Sequence, residues 1–190
     1  MKSVSERHAG RNAERPQCIR KLPRRLRFCL YAVIRGNMQT LEHKIPPPVV
    51  MLVFAGFMWL LSTSESSMAL AVPWHKTVAV TMWCLGVGIA LAGVFEFGRA
   101  KTTVNPLNPA AASAMVTSGI YRYSRNPMYV GLLLALLGWA VWLSHLLAFA
   151  LLPFFVLYIN RFQIEPEERA LSVKFGEQFR NYRSSVRRWL

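Results

Sequence analysis

The sequence predicts an all-α, polytopic integral membrane protein with about four transmembrane helices and a C-terminal cytoplasmic helix. Three observations lead to this prediction. Of the 190 residues, 53% are apolar, yet the formal net charge is +14. The apolar residues are grouped into runs, such as 49–61 and 77–95, that contain no lysine or arginine. The basic residues lie outside these runs, as they do in a membrane protein whose charges occupy the connections between spans.

A strongly basic chain is also typical of nucleic-acid-binding proteins. The solid apolar runs argue against that class, because a soluble domain of this length could not easily bury them. A metal site is not expected either, since the three cysteines form no CxxC pair and the four histidines are scattered. The sequence therefore predicts membrane lipids as partners, and neither nucleic acid nor a metal ion.

The N-terminal region is rich in arginine and has too short an apolar stretch to span a bilayer. Three interpretations stay open for residues 1–37: a disordered basic tail, a targeting peptide, or translated upstream sequence with the start at Met38. We divide the chain into a basic, disordered extension at 1–40 and a membrane domain at 41–190.

Four apolar segments are predicted to span the membrane, at 49–70, 78–97, 128–143 and 146–160. The triple proline 46–48 can precede a helix but cannot lie inside one. The polar run 62–67 makes the end of the first span the least defined boundary. Ser144-His145 separates the last two spans into a helical hairpin, and Pro153 is expected to kink the fourth.

The distribution of lysine and arginine gives the orientation independently of the apolar runs. There are eleven before the first span, one at 62–76, four at 98–127, none at 144–145 and seven from 160 onwards. Cytoplasmic connections carry an excess of basic residues. The alternation predicts four spans with both termini in the cytoplasm.

Small residues at four-residue spacing predict close helix packing. Gly88 and Ala92 lie in the second span, and Gly131 and Ala135 in the third. This spacing lets helix backbones approach in lipid, although chance in a glycine- and alanine-rich span explains it equally well.

Two polar stretches adjoin the spans. In 119–131, Asn126 suits the N-cap and Pro127 the first turn of the third span, whose free N–H groups could bind an anion with help from Arg122 and Arg125. The tyrosines offer faces for a ring or a cation, and a membrane-interface belt is the alternative interpretation. In 161–182, three of the nine acidic residues lie at 165–168. They suit the first turn of a helix near Pro166, or a carboxylate that holds a cation.

Together these stretches resemble a known superfamily. The patterns are Gly-Ile-Tyr-Arg-x-x-Arg-Asn-Pro-x-Tyr-x-Gly at 119–131, Glu-Glu-x-x-Leu at 167–171 and Phe-Gly-Glu-x-Phe-x-x-Tyr at 175–182. They are similar to the isoprenylcysteine carboxyl methyltransferase and phospholipid methyltransferase superfamily of membrane enzymes, particularly its bacterial members. The resemblance covers about 41–190 and implies a multi-pass protein of a bacterial inner membrane.

The resemblance implies an S-adenosylmethionine-dependent methyltransferase that acts at the membrane face on a lipid-like or small apolar acceptor. Glu167 and Arg161 are the catalytic candidates; Glu167 would hold the cationic end of the cofactor and Arg161 would lie near the acceptor. The residues implied to bind the cofactor are Met115, Val116, Tyr121, Arg125, Asn126, Pro127, Met128, Tyr129, Glu167 and Glu168.

Two departures and two alternatives accompany the resemblance. The eukaryotic carboxyl methyltransferases have histidine at the position of Asn126, and a substrate-contacting arginine of theirs aligns with Gln163. The isoprenylcysteine substrate is therefore less secure than the chemistry. A non-catalytic membrane scaffold or lipid-binding protein of the same fold stays open, and a related NADPH-dependent sterol reductase is disfavoured by the length of this chain.

Overall fold

A computed structural model describes residues 45–64, 73–100 and 114–190, all within one compact unit. The described part of the chain is helical and contains no strand. The predictions for 1–40 and for the end of the first span at 65–70 fall outside these residues. The helices are α1 (Pro47–Ser64), α2 (His75–Arg99), a short 3₁₀ helix (Gly119–Arg122), α3 (Pro127–Leu143), α4 (Leu146–Ile159), a π-helical segment (Asn160–Ile164) and α5 (Glu165–Ser185).

Two helical stretches are long and apolar enough to cross a membrane: α2 and the path from Leu146 to Ser185, whose backbone is non-helical at Gly176 (φ 51, ψ −113). Only 17% and 28% of their most apolar windows are buried, whereas the core helix of a soluble protein is mostly buried. Large apolar side chains of α2 between 51% and 66% exposed are Val80, Trp83, Leu85, Leu91 and Phe95. These outward apolar faces identify a membrane protein. Helices α1 and α3 are apolar but shorter, so a total of four spans stays a prediction.

The core lies where α1 meets α3 and α4. Met58, Leu136 and Phe155 are fully buried there, and the rings of Phe54 and Phe155 meet edge to face at 5.5 Å. Trp139 donates its indole N–H to the carbonyl of Ala55 at 3.0 Å. This bond gives the polar atom of a buried aromatic a partner and ties α3 to α1.

Helix α2 packs against α3 through glycine and alanine, but in a register that differs from the predicted one. A Cβ on Gly86 would lie 2.6 Å from the backbone N of Ala135 and 2.6 Å from the carbonyl O of Gly131. Nothing lies within 4 Å of a Cβ on Gly88. The predicted α3 residues therefore form the contact, whereas the choice of Gly88 in α2 was wrong: the facing residue is Gly86, because rotation about a uniformly apolar helix is not fixed by its pattern.

The hairpin and the long helical path after it orient the polar stretches. Ser144 joins α3 to α4 with a left-handed backbone (φ 48). Pro153 lies inside α4, and α4 runs on through the π-helical segment into α5 without leaving helical geometry. The C-terminal helix begins one residue before Pro166, as its acidic first turn indicated, but it continues the preceding helix rather than starting a separate one. The start of α3 and the start of α5 consequently lie together.

Candidate functional site

Several contacts join the two polar stretches, and one of them is a hydrogen bond between Tyr129 and Glu167. Pro127 occupies the first turn of α3, as predicted, and Tyr129 follows it with its side chain 3% exposed. Glu167 lies in the acidic first turn of α5. The Tyr129 hydroxyl donates to Oε2 of Glu167 at 3.2 Å. Residues that are 38 positions apart therefore form one polar junction, which comprises the 3₁₀ helix, the start of α3 and the start of α5.

Glu167 is the carboxylate whose charge the junction leaves least balanced. Burial raises the pKa of Glu167 to about 7, the hydrogen bond from Tyr129 opposes this, and the charge of Glu168 raises it further. Glu167 is not ion-paired with any described residue. A carboxylate in this position gains most from a positively charged ligand, because the cation restores the stabilisation that burial removes.

Glu168 is the next residue in the chain, and its charge, unlike that of Glu167, is compensated. Its carboxylate forms an ion pair with Arg125 at 2.9 Å and another with Arg188 at 2.6 Å. Arg188 also donates its Nε–H to Oε1 of Glu168 at 3.3 Å, so its contact is bidentate. Two guanidinium groups therefore compensate the charge of Glu168, and both predicted cofactor residues Arg125 and Glu168 are engaged with each other.

Tyr121 forms an aromatic wall of the junction. Its ring meets Phe97 of α2 edge to face at 5.5 Å, and Tyr182 of α5 donates its hydroxyl to the Tyr121 carbonyl at 2.7 Å. The Tyr121 hydroxyl is buried and has no hydrogen-bond partner among the described residues. Burial, followed by the charge of Glu167, raises its pKa well above the ordinary value, so the group stays a protonated donor. A buried donor without a partner is costly and indicates a place for an acceptor atom.

Asn126 has the predicted position but a different role. It is the N-cap residue of α3, yet its side chain makes no capping bond. Its Nδ2 instead donates to the carbonyl of Arg188 at 2.9 Å, while Ser124 Oγ accepts from the Asn126 backbone N–H at 3.1 Å. The predicted N-cap position is therefore confirmed, while the side-chain amide binds a segment 62 residues further along the chain.

The remaining predicted site residues are Met115, Val116, Met128 and Arg161, and they lie on different elements around the Tyr129–Glu167 hydrogen bond. Val116 is buried and Met115 half-buried, and both precede the 3₁₀ helix. Met128 packs against α2, where a Cβ on Gly93 would lie 2.6 Å from its Cγ. Arg161, on the π-helical segment, forms an ion pair with Glu165 at 3.5 Å. Arg161 therefore adjoins the start of α5 through Glu165.

A cavity of about 430 Å³ opens beside the junction. The carboxylate of Glu96, near the end of α2, forms one wall and accepts the Ser118 hydroxyl at 2.7 Å. Gly119 has φ +56, and a Cβ there would lie 2.5 Å from Oε1 of Glu96. Other residues that line the cavity are Arg99, Ala100 and Arg122. The left-handed backbone at 119 favours glycine, and any Cβ there would also require the Glu96 carboxylate to shift.

Sequence reasoning missed Glu96, Tyr182 as a partner of Tyr121, and Arg188. An acidic residue inside a predicted span is a functional candidate by itself, so the Glu96 in Phe95-Glu96-Phe97 could have been found. Arg188 carries no such local pattern, since the C-terminal region reads as one more basic cytoplasmic segment. Among the described residues, no group of three or more His, Cys, Asp or Glu could hold a metal ion.

Comparison with known proteins links this junction to a family. The family model described as phospholipid methyltransferase matches residues 74–178. An uncharacterised protein of Haemophilus influenzae is 51% identical over 63 residues, which are 33% of this chain and all of that protein.

Several relatives carry the name of an activity. The Protein-S-isoprenylcysteine O-methyltransferase of Schizosaccharomyces pombe is 27% identical over 59% of this chain. The methanethiol S-methyltransferase of Pseudomonas deceptionensis is 33% identical over 58% of this chain. The matches cover 48% and 44% of those two proteins, so the chain spans about half their length. No solved structure matches the chain.

Proposed function

Because the chain belongs to the phospholipid methyltransferase family, we propose that it is an S-adenosylmethionine-dependent methyltransferase acting at the membrane face. The methyl acceptor we propose is a lipid-like or small apolar molecule with a carboxylate, thiol or amine. The observation that carries the proposal is the hydrogen bond between Tyr129 and Glu167. It unites the two polar stretches into one junction at the end of an apolar helix bundle.

The residues present fit S-adenosylmethionine. This cofactor carries a sulfonium and an ammonium, and Glu167 is a partly buried carboxylate without an ion-pair partner among the described residues. The aromatic faces of Tyr121 and Phe97 adjoin it, and such faces attract cations. The unpaired Tyr121 hydroxyl adds a donor for a ligand oxygen or nitrogen.

When bound, S-adenosylmethionine supplies a methyl group that its positive sulfur already activates. The chain's own contribution is therefore positioning and exclusion of water rather than acid–base catalysis. Glu167 balances the positive charge, and Tyr129 fixes the orientation of that carboxylate. In this proposal Asn126, Pro127, Met128, Met115 and Val116 line the cofactor site, and Arg161 lies on the acceptor side, toward the membrane.

The relatives support a choice of acceptor classes and do not select one. One is named for a prenylated cysteine and the other for a small thiol, and both acceptors are apolar. An apolar acceptor enters between helices from the lipid, while a charged cofactor enters from water. We accordingly propose that the junction faces the cytoplasm, with both termini on the same side, in a bacterial inner membrane.

Cofactor binding by the purified protein in detergent tests the proposal. Isothermal titration calorimetry with S-adenosylmethionine should give saturable binding for the wild type. Glu167→Gln should weaken it about tenfold or more, and Tyr129→Phe by a smaller factor, because losing a charge contact costs more than losing a neutral hydrogen bond.

Glu177→Gln is the matched control, since Glu177 is an exposed acid on the same helix. It should bind like the wild type. A well-folded wild type that binds no cofactor would overturn the proposal and favour a non-catalytic membrane scaffold or lipid-binding protein.

A further inference from the structure

The last five residues of the sequence, 186–190, lie against the polar junction. They follow α5, and the backbone leaves helical geometry at Val186 (φ −124, ψ 136). The region that matches the family ends at residue 178, so this segment lies beyond it. We call residues 186–190 the tail segment.

Main-chain and side-chain bonds fix the tail segment to the loop before α3. The Arg125 backbone N–H donates to the carbonyl of Arg187 at 3.0 Å, and Asn126 Nδ2 donates to the carbonyl of Arg188 at 2.9 Å. At its other end Trp189 packs on the apolar core and donates its indole N–H to Oδ1 of Asn160 at 3.1 Å. Bonds at both ends therefore hold this short segment in one position.

Arg188 uses this fixed backbone to reach Glu168. Its guanidinium binds both carboxylate oxygens, at 2.6 Å to Oε2 and 3.3 Å to Oε1. Arg125 contacts Oε1 from the opposite stretch at 2.9 Å. The side chains of Arg125 and Glu168 are only 10% and 11% exposed, so solvent screens this pair weakly. The carboxylate therefore connects three stretches of chain: the loop before α3, the first turn of α5 and the tail segment.

We propose that Arg188 is a positioning residue of the cofactor site. It compensates the charge of Glu168 and holds that carboxylate against Arg125, which keeps the loop Ser124–Arg125–Asn126 in place. Glu167 is then the carboxylate available to a cationic cofactor. This inference rests on the proposed function. Arg188 touches neither Glu167 nor Tyr129 through any described bond, so its effect passes through Glu168 and the loop.

The charges around Glu167 set the expected pH effect. Tyr129 faces it from α3 and Glu168 lies beside it on α5, while the charge of Glu167 itself acts on Tyr121 of the 3₁₀ helix. Arg125 and Arg188 compensate Glu168. If Arg188 is removed, more of the Glu168 charge acts on Glu167, and its pKa rises further. A cationic ligand then requires a higher pH for full binding.

Arg188→Gln tests the proposal, with Arg188→Lys as the conservative variant. Arg183→Gln is the matched control: Arg183 is exposed, and its charge acts on Arg125 without a direct bond among the described contacts. It removes the same charge from the same neighbourhood but keeps the bidentate contact. Each variant is titrated with S-adenosylmethionine in detergent between about pH 6 and about pH 9, and its thermal unfolding is recorded.

We expect Arg188→Gln to raise the Kd for S-adenosylmethionine about tenfold near neutral pH and to move the acid limb of binding to higher pH. Arg188→Lys should restore the acid limb and part of the affinity, while Arg183→Gln should match the wild type. Equal Kd and pH limb in Arg188→Gln and the wild type would overturn the positioning role, and so would a lower unfolding temperature with unchanged affinity. A wild type that binds no cofactor would overturn the proposed function and this inference with it.

Discussion

The α2–α3 interface and the polar junction share helix α3, yet they are held together by opposite means. In the interface, Gly86, Gly131 and Gly138 let the backbones meet, and an added Cβ at any of these positions meets main-chain atoms. In the junction, side chains from distant stretches meet through hydrogen bonds and ion pairs. The interface therefore tolerates no added volume, whereas the junction tolerates no lost charge or donor. This difference separates the part of the molecule that builds the helix pair from the part that we propose binds a ligand.

The largest expected effect is the loss of the interface. Gly86→Val should lower the free energy of unfolding by about 3 kcal/mol or more, because its Cβ would overlap with the backbone of α3, which cannot move away like a flexible side chain. Gly88→Val is the control on the same helix, since nothing lies within 4 Å of its Cβ. Thermal unfolding in detergent measures both. If both variants unfolded at the same temperature, the register of the interface would be wrong.

The second effect belongs to the junction and depends on pH. The Glu167 carboxyl, with its pKa raised to about 7, is protonated below that pH and cannot balance a positive ligand. Affinity for S-adenosylmethionine should therefore increase with pH, and weaken roughly tenfold between about pH 8 and about pH 6. Titration calorimetry at several pH values checks this. In Glu167→Gln the dependence should disappear, whereas a slope equal to that of the wild type would assign it to another group.

The smallest effect is expected where the two regions meet, beside the cavity at the end of α2. Ser118→Ala removes the hydroxyl that donates to Glu96 and should lower the free energy of unfolding by roughly 1 kcal/mol. The effect stays small because Arg99, at 3.4 Å, is the other described donor to that carboxylate. Thr117→Ala is the neighbouring control, since Thr117 is exposed. The difference between the two variants in chemical unfolding gives the contribution of this hydrogen bond. A difference near zero would mean that water replaces the hydroxyl.

The sequence predicted the helices and the meeting of the two polar stretches because both depend on local patterns. Apolar runs, the Asn-Pro at the start of α3 and the acids at 165–168 are each visible within a few residues. A hairpin at Ser144-His145 then brings the ends of these stretches to the same side. The junction between Tyr129 and Glu167 follows from that topology.

Two features could not be predicted from the sequence, for physical reasons. Rotation of α2 about its axis depends on which glycine meets a neighbouring backbone, and a helix that is apolar on all sides carries no periodic pattern to show it. Asn126 is the N-cap residue as predicted, but its amide binds the Arg188 carbonyl, and a contact between residues 62 positions apart leaves no local pattern. Both features concern contacts between stretches, not the stretches themselves.

Methyl transfer by membranes that contain the chain tests the central claim most directly. Membranes are incubated with S-adenosylmethionine labelled in its methyl group, and label is counted in the organic-extractable and volatile fractions. We predict label above that of membranes without the chain for the wild type and for Glu177→Gln, and a loss of at least about tenfold for Glu167→Gln. Equal labelling by Glu167→Gln and the wild type, or no labelling by a wild type that binds the cofactor, would contradict the account.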